Sequence, residues 1–140
     1  MTIRNMVIAG GMLTGFTIGA AAQPKIEHVA PAYTSPSSGI QMFTEYCAVC
    51  HGKSGKGDGP GFSALKKAPA DLTQLSAENG GKFPEARIRS YIAGADTVAA
   101  HGTREMPVWG SIFHSMNENQ PLVDLRVSNL TDYVKALQAK

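Results

Sequence analysis

The sequence predicts an all-α domain of short helices joined by long loops. Val123, Val127, Leu130, Val134 and Leu137 follow one another at spacings of 4, 3, 4 and 3, which draws one apolar stripe along a helix. Five of the ten residues from 52 to 61 are glycine, too many for regular structure. No segment alternates apolar and polar residues between turn signals, as a half-buried strand would.

Length and composition exclude several classes of protein. The chain has 140 residues, 43% hydrophobic and 17% charged, which suits one globular domain. A net charge of +2 lacks the basic excess of a nucleic-acid binder, so no nucleic-acid partner is expected. Two cysteines cannot build the disulfide framework of a small secreted scaffold.

Residues 1–22 read as a signal peptide. Arg4 supplies the positive start, Met6 to Gly19 is uncharged, and Ala20-Ala21-Ala22 offers a cleavage pattern. Cleavage after Ala22 implies export, to the periplasm in a bacterium, and an oxidising compartment. The alternative is an uncleaved anchor, but a spanning helix needs about 20 apolar residues. This run is shorter and is interrupted by Gly10, Gly11, Gly15 and Gly19. Residues 23–38 hold Pro24, Pro31 and Pro36 without periodicity and read as a flexible linker. The folded domain is then 39–140.

Within that domain, residues 40–49 suit a short helix, with Phe43 and Cys47 on one face. Residues 52–61 form a loop, and Pro69 to Thr73 suggests a turn leading into another helix. Pro84 fits the start of a helix that Gly94 closes. Residues 95–118 show no clear helical period and are expected to form a long loop, usually a functional feature in so small a domain. The terminal helix carries the stripe, with Tyr133 at its border.

Cys47-Ala48-Val49-Cys50-His51 is C-x-x-C-H, the attachment sequence of c-type haem. Two thiols three positions apart at a helix end each reach one edge of a porphyrin, and the histidine that follows lies under the iron. Structural zinc would need a second ligand pair at short spacing, whereas His101 and His114 are 13 apart. A thioredoxin-like motif would follow a strand, and a plain Cys47–Cys50 disulfide would be strained. One covalently bound haem c is therefore the expected cofactor.

A six-coordinate iron needs a second axial ligand, and the candidates are Met42, Met106, Met116, His28, His101 and His114. Pro107 stiffens the backbone directly after Met106, and Trp109 can shield the site. His101 is the rival, because imidazole binds haem iron well. Met42, before the attachment helix, suits the core; Met116, in a polar stretch, suits the surface. The glycine-rich loop lacks a phosphate-binding pattern, since Gly57 is followed by Asp58. Its glycines suit a tight path around the haem edge, with Pro60 a candidate to place a carbonyl beside the free nitrogen of His51.

From Gly39 to Lys140 the chain resembles the class I monohaem cytochromes c of bacteria. Gly39-x-x-x-Phe43-x-x-x-Cys47 is similar to that family's first helix, and Cys47, Cys50 and His51 match its haem-attachment and proximal-ligand positions. Residues 57–60 and 69–72 look like its post-haem loop. Met106-Pro107 matches its distal-ligand position, and Val127 to Leu137 its terminal helix. The resemblance implies a cytochrome c fold wrapped around one haem, with His51 and Met106 as the iron ligands.

Iron held on both faces has no open position for substrate, so the reading is a one-electron carrier between a donor and an acceptor redox protein, not an enzyme. Phe43, Phe62, Tyr91, Trp109 and Phe113 are candidates for the wall around the ring. Lys53, Lys56, Lys66, Lys67 and Lys82 suit either steering toward an acidic partner or a plain solvated surface. Alternatives are a relay subunit in a larger dehydrogenase or oxidase, and a five-coordinate haem sensor or enzyme if Met106 does not ligate.

Overall fold

Helices are the only regular elements among the described residues, which are 30–95, 106–116 and 118–139 of a computed structural model. In chain order they are α1 (Gly39–Met42), a π turn (Phe43–Cys47), α2 (Ala48–His51), a 3-10 helix (Pro60–Ala64), α3 (Leu75–Glu78), α4 (Glu85–Ala93), α5 (Trp109–Ser115) and α6 (Gln120–Ala136). The all-α expectation holds. No described helix is long and apolar enough to cross a membrane. The expected signal peptide, His28 and His101 lie outside the described residues.

Helix α1 begins at Ser38, whose hydroxyl accepts the Gln41 amide at 3.3 Å, an N-cap that satisfies one orphan donor. It widens into the π turn and continues as α2 up to His51. At the start of the widening the Thr44 hydroxyl donates to the Ile40 carbonyl at 2.8 Å. That is the acceptor an α-helical Thr44 amide would use, so the side chain competes with the ladder. The Ala48 amide then bonds Phe43 five residues back. Phe43 and Tyr46 both point inward from this turn.

Helix α6 is capped by Asn119, which accepts the Leu122 amide at 3.2 Å. Val123, Val127, Leu130 and Val134 are buried, as their spacing predicts, and Leu137 packs at the margin. Helix α1 crosses α6 at Gly39. A Cβ there would come within 2.3 Å of the Asn129 carbonyl oxygen and 2.9 Å of the Tyr133 Cβ, so only glycine allows the approach. The crossing is filled by Phe43 against Tyr133, ring centroids 5.0 Å apart. Helix α4 packs against α6 as well, and Gly94 ends it in the left-handed region at φ 77°.

Two sequence readings change. The stretch 95–118 is not all loop, because α5 occupies Trp109–Ser115. Trp109, Ile112, Phe113 and Met116 do carry helical spacing, but over seven residues that signal is short. Tertiary contacts stabilise the helix: Trp109 and Phe113 are buried, their centroids 5.8 Å apart and both near Tyr46. Met116, expected at the surface, packs against the core for the same reason.

Within the stretch expected as linker, residues 30–38 carry specific contacts. The Tyr46 hydroxyl donates to the Ala32 carbonyl at 2.6 Å and lies 2.8 Å from the Thr34 hydroxyl, and Asn129 donates to the Pro36 carbonyl. Thr34 is buried. The prolines remove donors that would otherwise need partners, and the other polar groups bond partly to the helices and partly within the segment, as the Ser37 amide does to the Ser35 hydroxyl.

Arg126 was not singled out by sequence, yet it is fully buried on the inner face of α6. Its Nε donates to Glu118 at 2.6 Å, Nη2 donates to the other oxygen of the same carboxylate, and Nη1 donates to Thr34 at 2.9 Å. The guanidinium also lies 5.4 Å from the Phe113 ring centroid. Its position, three after Val123 and four before Leu130, was the available signal: a charge in the middle of an apolar stripe demands a partner.

Candidate functional site

Cys47, Cys50 and His51 are brought together by the run from the π turn through α2. The loop that follows closes over the end of that helix. Gly52 N–H donates to the Ala48 carbonyl at 2.9 Å, Gly57 N–H to His51 at 2.8 Å, and Gly59 N–H to Cys50 at 3.1 Å. These are the carbonyls a helix end leaves unpaired. Gly52 and Gly57 reach them through positive φ, 74° and 81°, which explains the glycine content. Gly59 has ordinary φ, but a Cβ on it would lie 2.4 Å from the Val49 carbonyl oxygen and 2.6 Å from that of Ala48. The loop therefore packs backbone to backbone beneath the attachment helix.

The His51 Nδ1 lies 3.2 Å from the Ala70 carbonyl oxygen. A carbonyl only accepts, so Nδ1 carries the hydrogen and Nε2 keeps its lone pair. The carbonyl expected from Pro60 is thus supplied by Ala70. Pro60 instead opens the 3-10 helix, whose Gly61 lies against Val49, and the chain returns to His51 later. Desolvation lowers the His51 pKa, opposed by the smaller effect of the Ala70 bond. The neutral imidazole a metal requires is therefore the favoured form.

Both cysteines are free and partly exposed. The Cys47 thiol is pushed up to about 12, first by burial and then by the neighbouring Cys50 sulfur, so it is held as a thiol. Among the described residues no group of three His, Cys, Asp or Glu is placed to hold a metal ion. Two thiols in one helical turn, followed by a histidine with a bare Nε2, fit a covalently attached haem by their donor chemistry.

Met106 stands ahead of α5 and is 37% exposed. Two glycines allow the chain after Met106 to pack closely on the end of α4. A Cβ on Gly94 would meet Val108 at 2.2 Å, and one on Gly110 would meet the Ala93 carbonyl oxygen at 2.5 Å. Residues 94 and 108 are thus in contact. Trp109 then stacks on Tyr46 at 5.1 Å, and Tyr46 directly precedes Cys47. Met42 is fully buried in the core and His114 is exposed, bonded to Gln120 at 2.9 Å. Of the suggested wall residues, Phe43, Trp109 and Phe113 are buried, Tyr91 is half-buried and Phe62 is 46% exposed.

A family model described as cytochrome c matches residues 36–138. The chain belongs to the cytochrome c family. Membership supports a haem-based electron carrier and implies covalent haem c, for which this cytochrome offers Cys47 and Cys50. Comparisons with curated proteins and with solved structures return no match.

The segment bearing Ala70 has its own acid-sensitive lock. The Asp71 carboxylate accepts the Thr73 hydroxyl at 2.6 Å and its amide at 2.9 Å. These bonds hold its pKa below the ordinary 3.8. Their contribution is present above that value and is lost as pH falls through the lower folded value. The Thr73 amide should therefore lose hydrogen-exchange protection below pH 3.8, and Asp71→Asn should abolish that step. An identical acid profile in the variant would refute the assignment.

Proposed function

We propose that this cytochrome is an exported, periplasmic one-electron carrier, with haem c joined to Cys47 and Cys50 and its iron held by His51 and Met106. It exchanges electrons with a donor and an acceptor redox protein. The observation that carries this reading is the His51 imidazole, held through Nδ1 by the Ala70 carbonyl at the end of the helical run that bears Cys47 and Cys50. When bound, the haem supplies a reversible Fe(II)/Fe(III) couple. His51 would supply one nitrogen to the iron, and the Ala70 carbonyl keeps its ring from turning. Met106 is the proposed second donor. It is three residues from Trp109, so within about 10 Å along the chain, and Trp109 is anchored on Tyr46 beside the attachment helix. Thioether sulfur favours ferrous iron and raises the potential. With His51 and Met106 both holding the iron, the group would suit electron transfer rather than substrate binding. Export rests on the composition of residues 1–22.

The test is the visible spectrum of the matured protein, oxidised and reduced, with and without carbon monoxide. A low-spin c-type spectrum unchanged by carbon monoxide, with the weak far-red band of methionine–ferric ligation, is expected. Met106→Ala should abolish that band completely and open the iron to carbon monoxide. A wild-type spectrum that is high-spin and shifts with carbon monoxide would replace the carrier with a five-coordinate sensor or enzyme. Loss of the sixth ligand in His101→Ala instead would transfer that role to His101.

A further inference from the structure

The carbonyl beside His51 belongs to a segment that the C-terminus holds by hydrogen bonds. The Gln138 side chain sits just beyond α6 and makes three hydrogen bonds. Its Oε1 accepts the Ser76 amide at 2.8 Å, and its Nε2 donates to the Leu72 carbonyl at 2.7 Å and the Val134 carbonyl at 2.8 Å. The next residue adds a fourth link, the Ala139 amide donating to the Thr73 carbonyl at 3.0 Å. Leu72 is gripped from its other side too, its amide donating to Gly55 at 2.7 Å. The C-terminal residues thus tie the 70–76 segment to α6, while Leu72 itself ties it to the loop that follows α2.

We propose that Gln138 is a positioning residue for the His51 imidazole, acting through Leu72 on the Ala70 carbonyl. This rests on the reading of His51 as the haem ligand. The lever is short, because Ala70 is two residues from Leu72. The bond it controls is sensitive: 3.2 Å is already at the outer edge of the N–H···O range, and a further shift of about 0.4 Å would break it. Packing restrains the segment only in part. A Cβ on Gly57 would touch the Pro69 carbonyl oxygen at 2.6 Å but that of Ala70 only at 3.6 Å. A hydrogen bond from Nδ1 makes the ring a stronger donor to iron, which stabilises the ferric state. Loosening Gln138 therefore raises the reduction potential without changing a ligand.

The experiment uses the full haem-loaded chain and compares wild type with Gln138→Met, which keeps the length and apolar stem but loses all three bonds. Ala139→Pro is the second variant. It keeps the Gln138 side chain and removes the amide that bonds Thr73, so it carries the test if the first variant does not mature. The readouts are equilibrium poise against a fixed redox mediator and hydrogen exchange of the His51 Nδ1 proton by NMR. In Gln138→Met the reduced-to-oxidised ratio should rise about threefold, or about 30 mV for one electron. Ring-proton exchange should quicken about tenfold. Ala139→Pro should move both in the same direction by less. The far-red band should persist in both variants.

An unchanged poise and unchanged ring-proton exchange in the folded variants would overturn the proposal and leave Gln138 a structural residue. Failure of the ligand reading looks different. The His51 ring proton of ferric wild type would then lack a paramagnetic shift, whatever residue 138 is.

Discussion

Glu118→Ala should lower the unfolding free energy of the cytochrome by about 3 kcal/mol. The side chains of Arg126 and Glu118 retain 0% and 7% of their exposure, and the carboxylate takes two of the guanidinium's three hydrogen bonds. Removing it leaves a full charge in the core with, among the described residues, Thr34 and the faces of Phe113 and Tyr33 for company. Such a charge costs more than the pair was worth, because its desolvation is no longer offset. Arg126→Met should be much milder, since an unbranched apolar side chain asks for no partner. Denaturant unfolding of the haem-loaded chain would measure both as shifts in midpoint at constant slope. If Glu118→Ala and Arg126→Met lose equal stability, the ion pair acts only as packing. The effect should reach residues 30–38 as well, because Thr34 links Arg126 to the Tyr46 hydroxyl.

Gly59→Ala should be the most damaging single-methyl change in the loop, costing about 3 kcal/mol and most of the yield of haem-loaded protein. Its backbone, at φ −65° and ψ 155°, suits alanine, so the penalty is purely steric. The added carbon would meet the Val49 and Ala48 carbonyl oxygens and the Cys50 carbonyl carbon, all within 2.7 Å. These are backbone atoms of the turn that carries both thiols, and moving them shifts Cys50 relative to His51. Gly80→Ala is the control. It has positive φ, 66°, but nothing within 4 Å, so it should cost about 1 kcal/mol of conformational strain and leave haem attachment intact. Equal losses at the two positions would mean that backbone conformation, not the close approach, sets the glycine requirement. Thermal unfolding and the absorbance of attached haem per chain would separate them.

Much of the architecture was legible because it depends on local periodicity. The stripe from Val123 to Leu137 announces α6 since a 3.6-residue repeat needs no knowledge of its partner. Cys47, Cys50 and His51 were legible for a similar reason: their chemistry depends on spacing within one turn. Helix α5 was hidden, because seven residues hold as a helix only when Trp109 and Phe113 find Tyr46.

By itself the sequence determined the helical class, the C-x-x-C-H pattern and the family, all written in residues close together in the chain. Only the tertiary structure decided which carbonyl meets His51, what neutralises Arg126, and what holds the 70–76 segment. Each depends on groups that no local pattern pairs: Ala70 with His51 across 19 residues, Arg126 with Glu118 across 8 and with Thr34 across 92, and Gln138 with Leu72 across 66. Their partners are backbone groups or ordinary polar side chains that occur throughout the chain. A hydrogen bond depends on where those groups lie to within a few tenths of an ångström. That placement follows from the packing of α1 on α6 through Gly39, not from any local pattern.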